Sequence, residues 1–394
     1  MNVAQVAPLT ESVPPKTYGG IERIVSYLTE ELVGRGHRVT LFAAGDSQTS
    51  ARHVAVVEKS LRQWDQRPDA VMCHVMQLAE VVRLAQEFDV IHYHTDVLQY
   101  PLGRLMSVPM LTTLHGRLDV PGAAELFGVF REAPVVSISD SQRRPLRTAN
   151  WLRTVYNGIP VERYGFRAEP GEYFAFLGRF TPEKGPEEAI RIAQRTGVPI
   201  RMAAKVDSVD TQYFADRIQP LLEDPLVEYI GEVGDKEKSD FLGGAKALLM
   251  PINWPEPFGL VMVEAMACGT PVIAFNRGSV PEVIRDGVTG FIVDSVDAAV
   301  DAVGRLDSID RAECRRHCER NFSVARMVDG YEDAYRSLVS SGSIGAPGRR
   351  WAIPEVPALD AQPVAAAMSR IPPSTNGAAG AGLPGAPVSL RPAR

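Results

Sequence analysis

Short apolar runs alternate with amphipathic segments along the first part of the chain. Residues 21–36 carry apolar side chains at positions 21, 24, 25, 28 and 32, a helical spacing that ends at glycines. The segment VVRLAQEF (81–88) also leads into an apolar run. Runs of strand length occupy 2–8, 37–44, 89–94, 108–116 and 133–140. Continuous apolar strands separated by helices predict a parallel sheet covered on both faces.

The alternation restarts after residues 151–166, a stretch of mixed character with an Asn-Gly turn. A helical pattern occupies 186–196. Further apolar runs of strand length occupy 172–180, 198–204, 227–233, 245–252 and 270–275. The pattern predicts an α/β protein with two successive doubly wound, Rossmann-like units and a boundary near residue 165.

The composition changes at residue 341. The last 54 residues contain nine prolines and seven glycines with few aliphatic side chains. Such a segment buries too little apolar surface to offset its ordering entropy, so residues 341–394 are predicted to form a disordered tail. A tolerated terminal extension is the simpler interpretation, and partner binding is the alternative.

Composition and charge narrow the class of protein. A chain of 394 residues with 45% hydrophobic and 23% charged residues is typical of globular domains, and a net charge of −6 argues against nucleic acid as a partner. Its four cysteines lack zinc spacing, so reduced thiols in a cytoplasmic protein are expected. No leader or transmembrane pattern is found, although peripheral contact with a membrane stays open.

In open parallel sheets, ligands bind beyond the carboxyl ends of the strands. The loop after the first strand ends in Gly19-Gly20 at a helix start, where the backbone can approach an anion closely. A flexible turn is the alternative. No GxGxxG motif follows either first strand, which counts against a dinucleotide dehydrogenase.

Arg179 and Lys184 lie in LGRFTPEKGPEEA, at the end of the strand that begins the second unit. The chain has 7 lysines against 35 arginines, so a lysine between proline-containing turns is unusual here. A guanidinium fork and an ammonium five residues apart can neutralise a pyrophosphate from two sides. A solvated charged loop is the alternative.

Two glutamates occupy the apolar stretch PEPFGLVMVEAMACGTPVIAF (255–275). Glu264 is the only charged residue between Glu256 and Arg277, so its helix is predicted to be buried and its carboxylate to need a hydrogen-bond donor. A ribose diol offers two such donors. Glu256, on the preceding loop, is expected to face the cleft with the backbone N–H groups of Phe258, Gly259 and Leu260. A structural ion pair is the alternative for either glutamate.

These motifs, with YGGIERIV and GSVPEVIRDGVTGFIV in the same order, resemble the GT-B-fold retaining glycosyltransferases of family 4. The resemblance runs from residue 1 to about residue 340. It implies an N-terminal acceptor-side domain at 1–165, a nucleotide-sugar-binding domain at 166–321, a central cleft between them, and a final helix at 322–340 that crosses back to the first domain.

By the same resemblance, Arg179 and Lys184 bind the donor's diphosphate and Glu264 binds the ribose. Glu256 and the backbone of Phe258, Gly259 and Leu260 hold the sugar hydroxyls. His115 lies beside the transferred sugar, and Gly19 and Gly20 approach the phosphates. His92 and His94 also match a family motif, but satisfied core histidines are the preferred interpretation for them.

The implied reaction transfers a hexose from a nucleotide-diphosphate sugar to an unknown acceptor hydroxyl, with retention at the anomeric carbon. UDP-glucose is the first expectation for the donor, which acts as a co-substrate, ahead of UDP-GlcNAc and GDP-mannose. No tightly bound cofactor and no metal are expected. Another GT-B enzyme, such as a nucleotide-sugar epimerase, and a non-catalytic nucleotide-sugar sensor are the alternatives.

Overall fold

The computed structural model describes residues 1–16, 19–65, 68–95 and 97–340 and contains two parallel sheets. The first comprises β1 (Asn2–Val6), β2 (Arg38–Phe42), β3 (Arg52–Val54), β4 (Val90–Tyr93), β5 (Met110–Leu114), β6 (Pro134–Ser137) and β7 (Asn150–Thr154). The second comprises β8 (Tyr173–Arg179), β9 (Ile200–Lys205), β10 (Val227–Gly231), β11 (Ala245–Met250), β12 (Val272–Phe275) and β13 (Gly290–Val293).

Both sheets are doubly wound. Their strand orders are β3-β2-β1-β4-β5-β6-β7 and β10-β9-β8-β11-β12-β13, and every pairing is parallel. The order reverses at β1/β4 in one sheet and at β8/β11 in the other. Such switch points open a crevice at the carboxyl ends of the strands, where ligands bind. The expected architecture of two Rossmann-like domains is confirmed.

Helices connect the strands. They are α1 (Gly20–Gly34), α2 (Ala70–Leu84), α3 (Tyr100–Gly103), α4 (Ala123–Val129), α5 (Pro186–Thr196), α6 (Thr211–Tyr213), α7 (Asp235–Gly243), α8 (Leu260–Ala267), α9 (Val280–Val283), α10 (Val296–Val303), α11 (Arg311–Asn321) and α12 (Val324–Ser340). Among the described residues, no helix combines the length and the apolar character that a membrane span requires.

Each apolar run that was predicted as a strand coincides with one, although β9 extends one residue beyond its run, and α5 spans the range that its periodicity predicted. Three strands were not predicted. β3 and β13 are short, with three and four residues. β7 falls in the stretch of mixed character. All three are edge strands with one neighbour each: β3 and β7 are the two edges of the first sheet, and β13 is one edge of the second.

The C-terminal helix α12 belongs to the core of the first sheet's domain. Its buried side chains, among them Met327, Tyr331 and Leu338, pack with Ile24 and Leu28 of α1. The chain therefore returns from the second sheet to the first before residue 340. The predicted tail, residues 341–394, lies outside the described residues.

Candidate active site

A cleft of about 730 Å³ lies at the carboxyl ends of the strands and is lined by residues of both domains. The switch-point rule predicted a site at this edge of each sheet. Nine of the ten residues selected from the sequence line this cleft: Gly19, Gly20, His115, Lys184, Glu256, Phe258, Gly259, Leu260 and Glu264. Residues that are far apart in sequence are thus brought to one cavity.

Lys184 and Glu256 form an ion pair on the wall of the second domain. Lys184 ends a 3₁₀ turn after β8, and its Nζ lies 2.5 Å from Oε2 of Glu256. The same oxygen accepts a hydrogen bond of 2.9 Å from Trp254 Nε1, and the ammonium lies 4.7 Å from the centroid of the Trp254 ring. This arrangement holds a cation and an anion side by side at the cleft.

Glu264 forms the second lysine–glutamate pair. Its Oε1 accepts hydrogen bonds from Lys238 Nζ at 2.8 Å and from the Tyr164 hydroxyl at 3.1 Å. Only 4% of Glu264 is exposed, as the uncharged pattern of α8 predicted. Lys238 and Tyr164 therefore supply the hydrogen-bond donors that Glu264 was expected to need, both at one carboxylate oxygen. In this structure both Glu256 and Glu264 form ion pairs, which was the alternative interpretation.

The start of α8 presents backbone to the cleft. Gly259 precedes the helix with φ of 78°, a left-handed conformation that favours glycine. The ring of Phe258 is buried against Phe322 and Tyr156. The first N–H groups of a helix have no intrahelical acceptor, so the backbone at Leu260 can donate to a ligand.

Arg179 differs from the other selected residues, because it does not line the cleft. It is the last residue of β8, and its guanidinium pairs with Glu183 at 2.8 Å and with Asp207 at 3.6 Å. Contact between Arg179 and a ligand in the cleft would require this side chain to leave both carboxylates. Its role at a diphosphate stays a prediction.

The wall of the first domain carries histidines. His115 follows β5 and is half-buried, and its Nε2 lies 3.0 Å from Nδ1 of His94, which follows β4 and also lines the cleft. Burial lowers the pKa of His115 to about 4 and holds the pKa of His94 and of His92 well below the usual value. All three rings are therefore neutral near pH 7.

The interpretation of His92 and His94 as satisfied core histidines agrees with the structure, which adds one feature to His94. His92 is a satisfied core histidine with both ring nitrogens hydrogen-bonded, as expected. His94 is equally buried but borders the cleft and contacts His115 directly. His94 follows β4 two residues after His92, and residues two apart in extended backbone project from the same face, so the two rings lie side by side with centroids 4.0 Å apart.

The glycine loop closes the cleft from the first domain. A Cβ atom at Gly19 would lie 2.7 Å from Pro15 Cβ, so this position accepts no larger residue without a shift of the loop. At Gly20 the nearest atom would be Leu260 Cδ1 of the second domain, at 3.7 Å. Gly19 is therefore required by the packing of its own loop, whereas at Gly20 a Cβ atom would make an ordinary contact with the second domain.

Sequence reasoning missed several residues of the cleft, above all Lys238 and Lys205. Lys205 ends β9 and lies 3.0 Å from Asp207. The scarcity of lysine, which selected Lys184, applies equally to these two and could have identified them. Trp254, which also lines the cleft, and Tyr164, which bonds Glu264 from behind it, carried no comparable signal.

Among the described residues, no three His, Cys, Asp or Glu side chains are grouped as a metal ion would need. The expectation that the donor's diphosphate is neutralised without a metal stays a prediction.

Comparisons with known proteins agree with this geometry. A family profile described as "Glycosyltransferase Family 4" matches residues 18–163, and one described as "Glycosyl transferases group 1" matches residues 164–321. The D-inositol 3-phosphate glycosyltransferase of Acidothermus cellulolyticus is 30% identical over 346 residues, which cover 69% of this chain and 72% of the relative. Alpha-maltose-1-phosphate synthase of Mycobacterium tuberculosis is 25% identical over 393 residues, which cover 85% and 99%.

A solved structure of Anabaena HepE in complex with UDP-glucose matches with a TM-score of 0.65 at 18% identity, covering 86% of this chain and 100% of that one. At this identity the likeness concerns the fold.

Proposed function

The chain belongs to the group 1 glycosyltransferases of the GT-B fold and is a hexosyltransferase, and from this premise we propose that it moves glucose from UDP-glucose to an acceptor hydroxyl with retention at the anomeric carbon. The observation that carries the proposal is the pairing of Lys184 with Glu256 and of Lys238 with Glu264 along one wall of the cleft. A nucleotide sugar needs both signs of charge there: cations for its phosphates and carboxylates for its hydroxyls.

The proposed donor pose assigns each group a task. Lys184 contacts the diphosphate, and Glu256 accepts hydrogen bonds from the sugar hydroxyls beside the backbone N–H groups at the start of α8. The second oxygen of Glu264 accepts from the ribose, while Lys238 and Tyr164 hold its first oxygen in place. His115 faces the sugar from the other domain.

Catalysis in this proposal is electrostatic. Negative charge develops on the departing diphosphate, and a fixed cation such as Lys184 stabilises that charge more than it stabilises the bound donor. The departing phosphate helps to deprotonate the acceptor hydroxyl on the same face of the sugar, which leads to retention. Glu256 and Glu264 then serve in binding and are not an acid/base pair of the glycosidase kind.

Support for UDP-glucose comes from the fold neighbour whose structure contains it. One of the two relatives is named for the synthesis of alpha-maltose 1-phosphate and the other for the glycosylation of D-inositol 3-phosphate, so their names give no common acceptor. The acceptor is therefore left as a hydroxyl compound that enters from the first domain.

A donor screen tests the proposal. UDP-glucose, UDP-GlcNAc and GDP-mannose are added separately, and Tm is followed, because a ligand that binds only the native state raises apparent stability. UDP-glucose should raise Tm most, and it should release UDP faster when an acceptor is present. The anomeric proton coupling in the product then reports retention or inversion. An inverted product, or a larger effect of another donor, would contradict the proposal.

Two controls separate the alternatives. An epimerase would change UDP-GlcNAc with no acceptor present, and a sensor would bind a donor without turnover across a broad acceptor panel. Turnover in EDTA should match turnover without it, because the proposal assigns neutralisation of the phosphates to side chains and helix N–H groups.

A further inference from the structure

A continuous chain of six hydrogen bonds leads from the cleft into the core of the first domain. It begins at His115, whose Nε2 lies 3.0 Å from Nδ1 of His94, and His94 Nε2 lies 2.8 Å from Oε1 of Gln5. The Gln5 amide Nε2 donates to the Tyr335 hydroxyl at 2.9 Å, and that hydroxyl lies 2.7 Å from Nδ1 of His92.

This series of hydrogen bonds ends on the C-terminal helix α12. His92 Nε2 lies 2.7 Å from Oγ1 of Thr113, and Thr113 donates to the Tyr331 hydroxyl at 3.1 Å. Apart from His115, all of these groups are buried. Buried polar groups are costly unless they are paired, and each of these hydrogen bonds satisfies two such groups.

The topology of the first sheet brings these residues together. Gln5 lies in β1. His92 lies in β4 and His94 directly follows it, and Thr113 lies in β5 and His115 directly follows it. These three strands are neighbours in the order β1-β4-β5. Residues two apart on a strand share a face, which accounts for both pairs. Helix α12 covers this face and supplies Tyr331 and Tyr335, four residues apart on one side of the helix.

The bonds have one consistent direction. Because the Gln5 amide oxygen accepts from His94, the His94 proton is on Nε2 and its Nδ1 accepts. A neutral His115 must then donate from Nε2 and keep an unprotonated Nδ1. At the other end, the Tyr335 hydroxyl accepts from Gln5 and therefore donates to His92. Reversal of the Gln5 amide would reverse every bond and move the His115 proton to Nδ1.

We propose that Gln5 and Tyr335 are positioning residues for the transfer reaction: acting through His94, they hold the cleft residue His115 in its Nε2–H form, with Nδ1 as a hydrogen-bond acceptor for a substrate hydroxyl. The inference rests on the proposed function, which places His115 beside the transferred sugar. Tyr335 lies on α12, so docking of the C-terminal helix sets the hydrogen-bonding state of a residue at the cleft.

Two matched variants test the inference. Tyr335→Phe removes the hydroxyl that anchors Gln5, and Tyr331→Phe removes a hydroxyl from the same helix at the far end of the chain. Both tyrosines are fully buried and both rings contact His92. If this series of hydrogen bonds had only a structural role, the two variants would lose similar stability and keep similar turnover.

The first measurement is spectroscopic and independent of activity. In protein labelled with ¹⁵N-histidine, the ring nitrogen shifts report which nitrogen of each of the seven histidines carries the proton, with His115 assigned through a His115→Gln variant. We expect Nε2–H for His115 in the wild type and in Tyr331→Phe, and a mixture of both forms in Tyr335→Phe. A wild-type His115 that carries its proton on Nδ1 overturns the proposal.

The second measurement is kinetic. Tyr335→Phe should lower kcat about tenfold and leave KM for the nucleotide sugar within about twofold, whereas Tyr331→Phe should leave both unchanged. Equal kcat for the two variants would overturn the proposal. If Tyr335→Phe does not fold, Gln5→Met replaces it, because it removes the acceptor of His94 and leaves α12 intact. If no nucleotide sugar is turned over, the proposed function fails, while the histidine spectra still decide whether this chain sets the His115 proton.

Discussion

The two walls of the cleft are built on different physical principles. The wall of the second domain holds full charges, with Lys184 and Lys238 each bonded to a glutamate at 2.5 Å and 2.8 Å. The wall of the first domain holds neutral rings, with His115 and His94 joined to a buried chain of hydrogen bonds. The second domain can therefore contact a ligand through charged side chains, and the first domain through hydrogen bonds of neutral imidazole rings.

The difference follows from what each wall is proposed to bind. A diphosphate carries charge that only cations or helix N–H groups can offset, so the donor wall needs ammonium groups at its surface. A sugar is neutral, and a neutral His115 whose Nε2–H is bonded to His94 offers a sugar hydroxyl one acceptor, Nδ1. Each paired glutamate also holds its lysine in place at the cleft.

Replacement of the charge at Lys184 should have the largest effect. Lys184→Ala is expected to lower kcat about a hundredfold to a thousandfold, about 2.7–4 kcal/mol, because charge on the leaving diphosphate loses its stabilising cation. The measurement is steady-state UDP release. Lys59→Ala is the matched control, because Lys59 also lies over a tryptophan ring, Trp64, at 5.1 Å but does not line the cleft. Equal kcat for the two variants would refute a diphosphate role for Lys184.

Removal of the carboxylate at Glu264 should weaken donor binding. Glu264→Ala is expected to raise the donor Kd about tenfold to a hundredfold, about 1.5–3 kcal/mol, because a hydrogen bond from the ribose is lost. Titration calorimetry measures this directly. Glu264→Gln keeps an oxygen for Tyr164 and should fall between the wild type and the alanine variant. Unchanged affinity in a folded Glu264→Ala protein would exclude the ribose assignment.

Arg179 tests how far the charged wall extends. Arg179→Ala should lower kcat about tenfold, about 1.4 kcal/mol, which is less than for Lys184 because the guanidinium must first leave Glu183 and Asp207. A loss as large as that of Lys184→Ala would show that Arg179 moves fully onto the diphosphate. No loss at all would restrict the charged wall to the two lysines.

The neutral state of His115 should affect how the free energy of unfolding depends on pH. Because the folded pKa of His115 is lowered to about 4, the unfolded chain binds a proton at this residue between pH 6.5 and about 4 while the folded chain does not. Stability is therefore lost as the pH falls through that window, by up to about 1.4 kcal/mol per pH unit for each such histidine. Denaturant melts at pH 6 and pH 5 should show a smaller pH slope for His115→Gln than for the wild type. Equal slopes would mean that His115 is protonated in the folded state.

Much of the fold could be predicted because it depends on local pattern. The apolar runs coincide with strands, and the helix at Pro186–Thr196 has the predicted bounds, since periodicity reflects which side of an element is buried. The missed strand β3 is short and at an edge, where burial is one-sided and leaves little pattern. Glu264 was recognised as buried because α8 has no other charge.

The sequence by itself predicted two α/β units with ligands at the carboxyl ends of their strands, because element type and loop position follow from local periodicity. Together with the family resemblance of its motifs, it also selected nine of the residues that line the cleft. It could not identify the partners of those residues. Lys238 meets Glu264 across 26 positions, and Tyr335 meets His92 across 243, so both contacts exist only after the chain has packed. The protein groups that bond Glu264 and the hydrogen-bond partner of His115 were therefore decided by tertiary structure alone, since hydrogen bonds act over a few ångströms in space and leave no period along the chain.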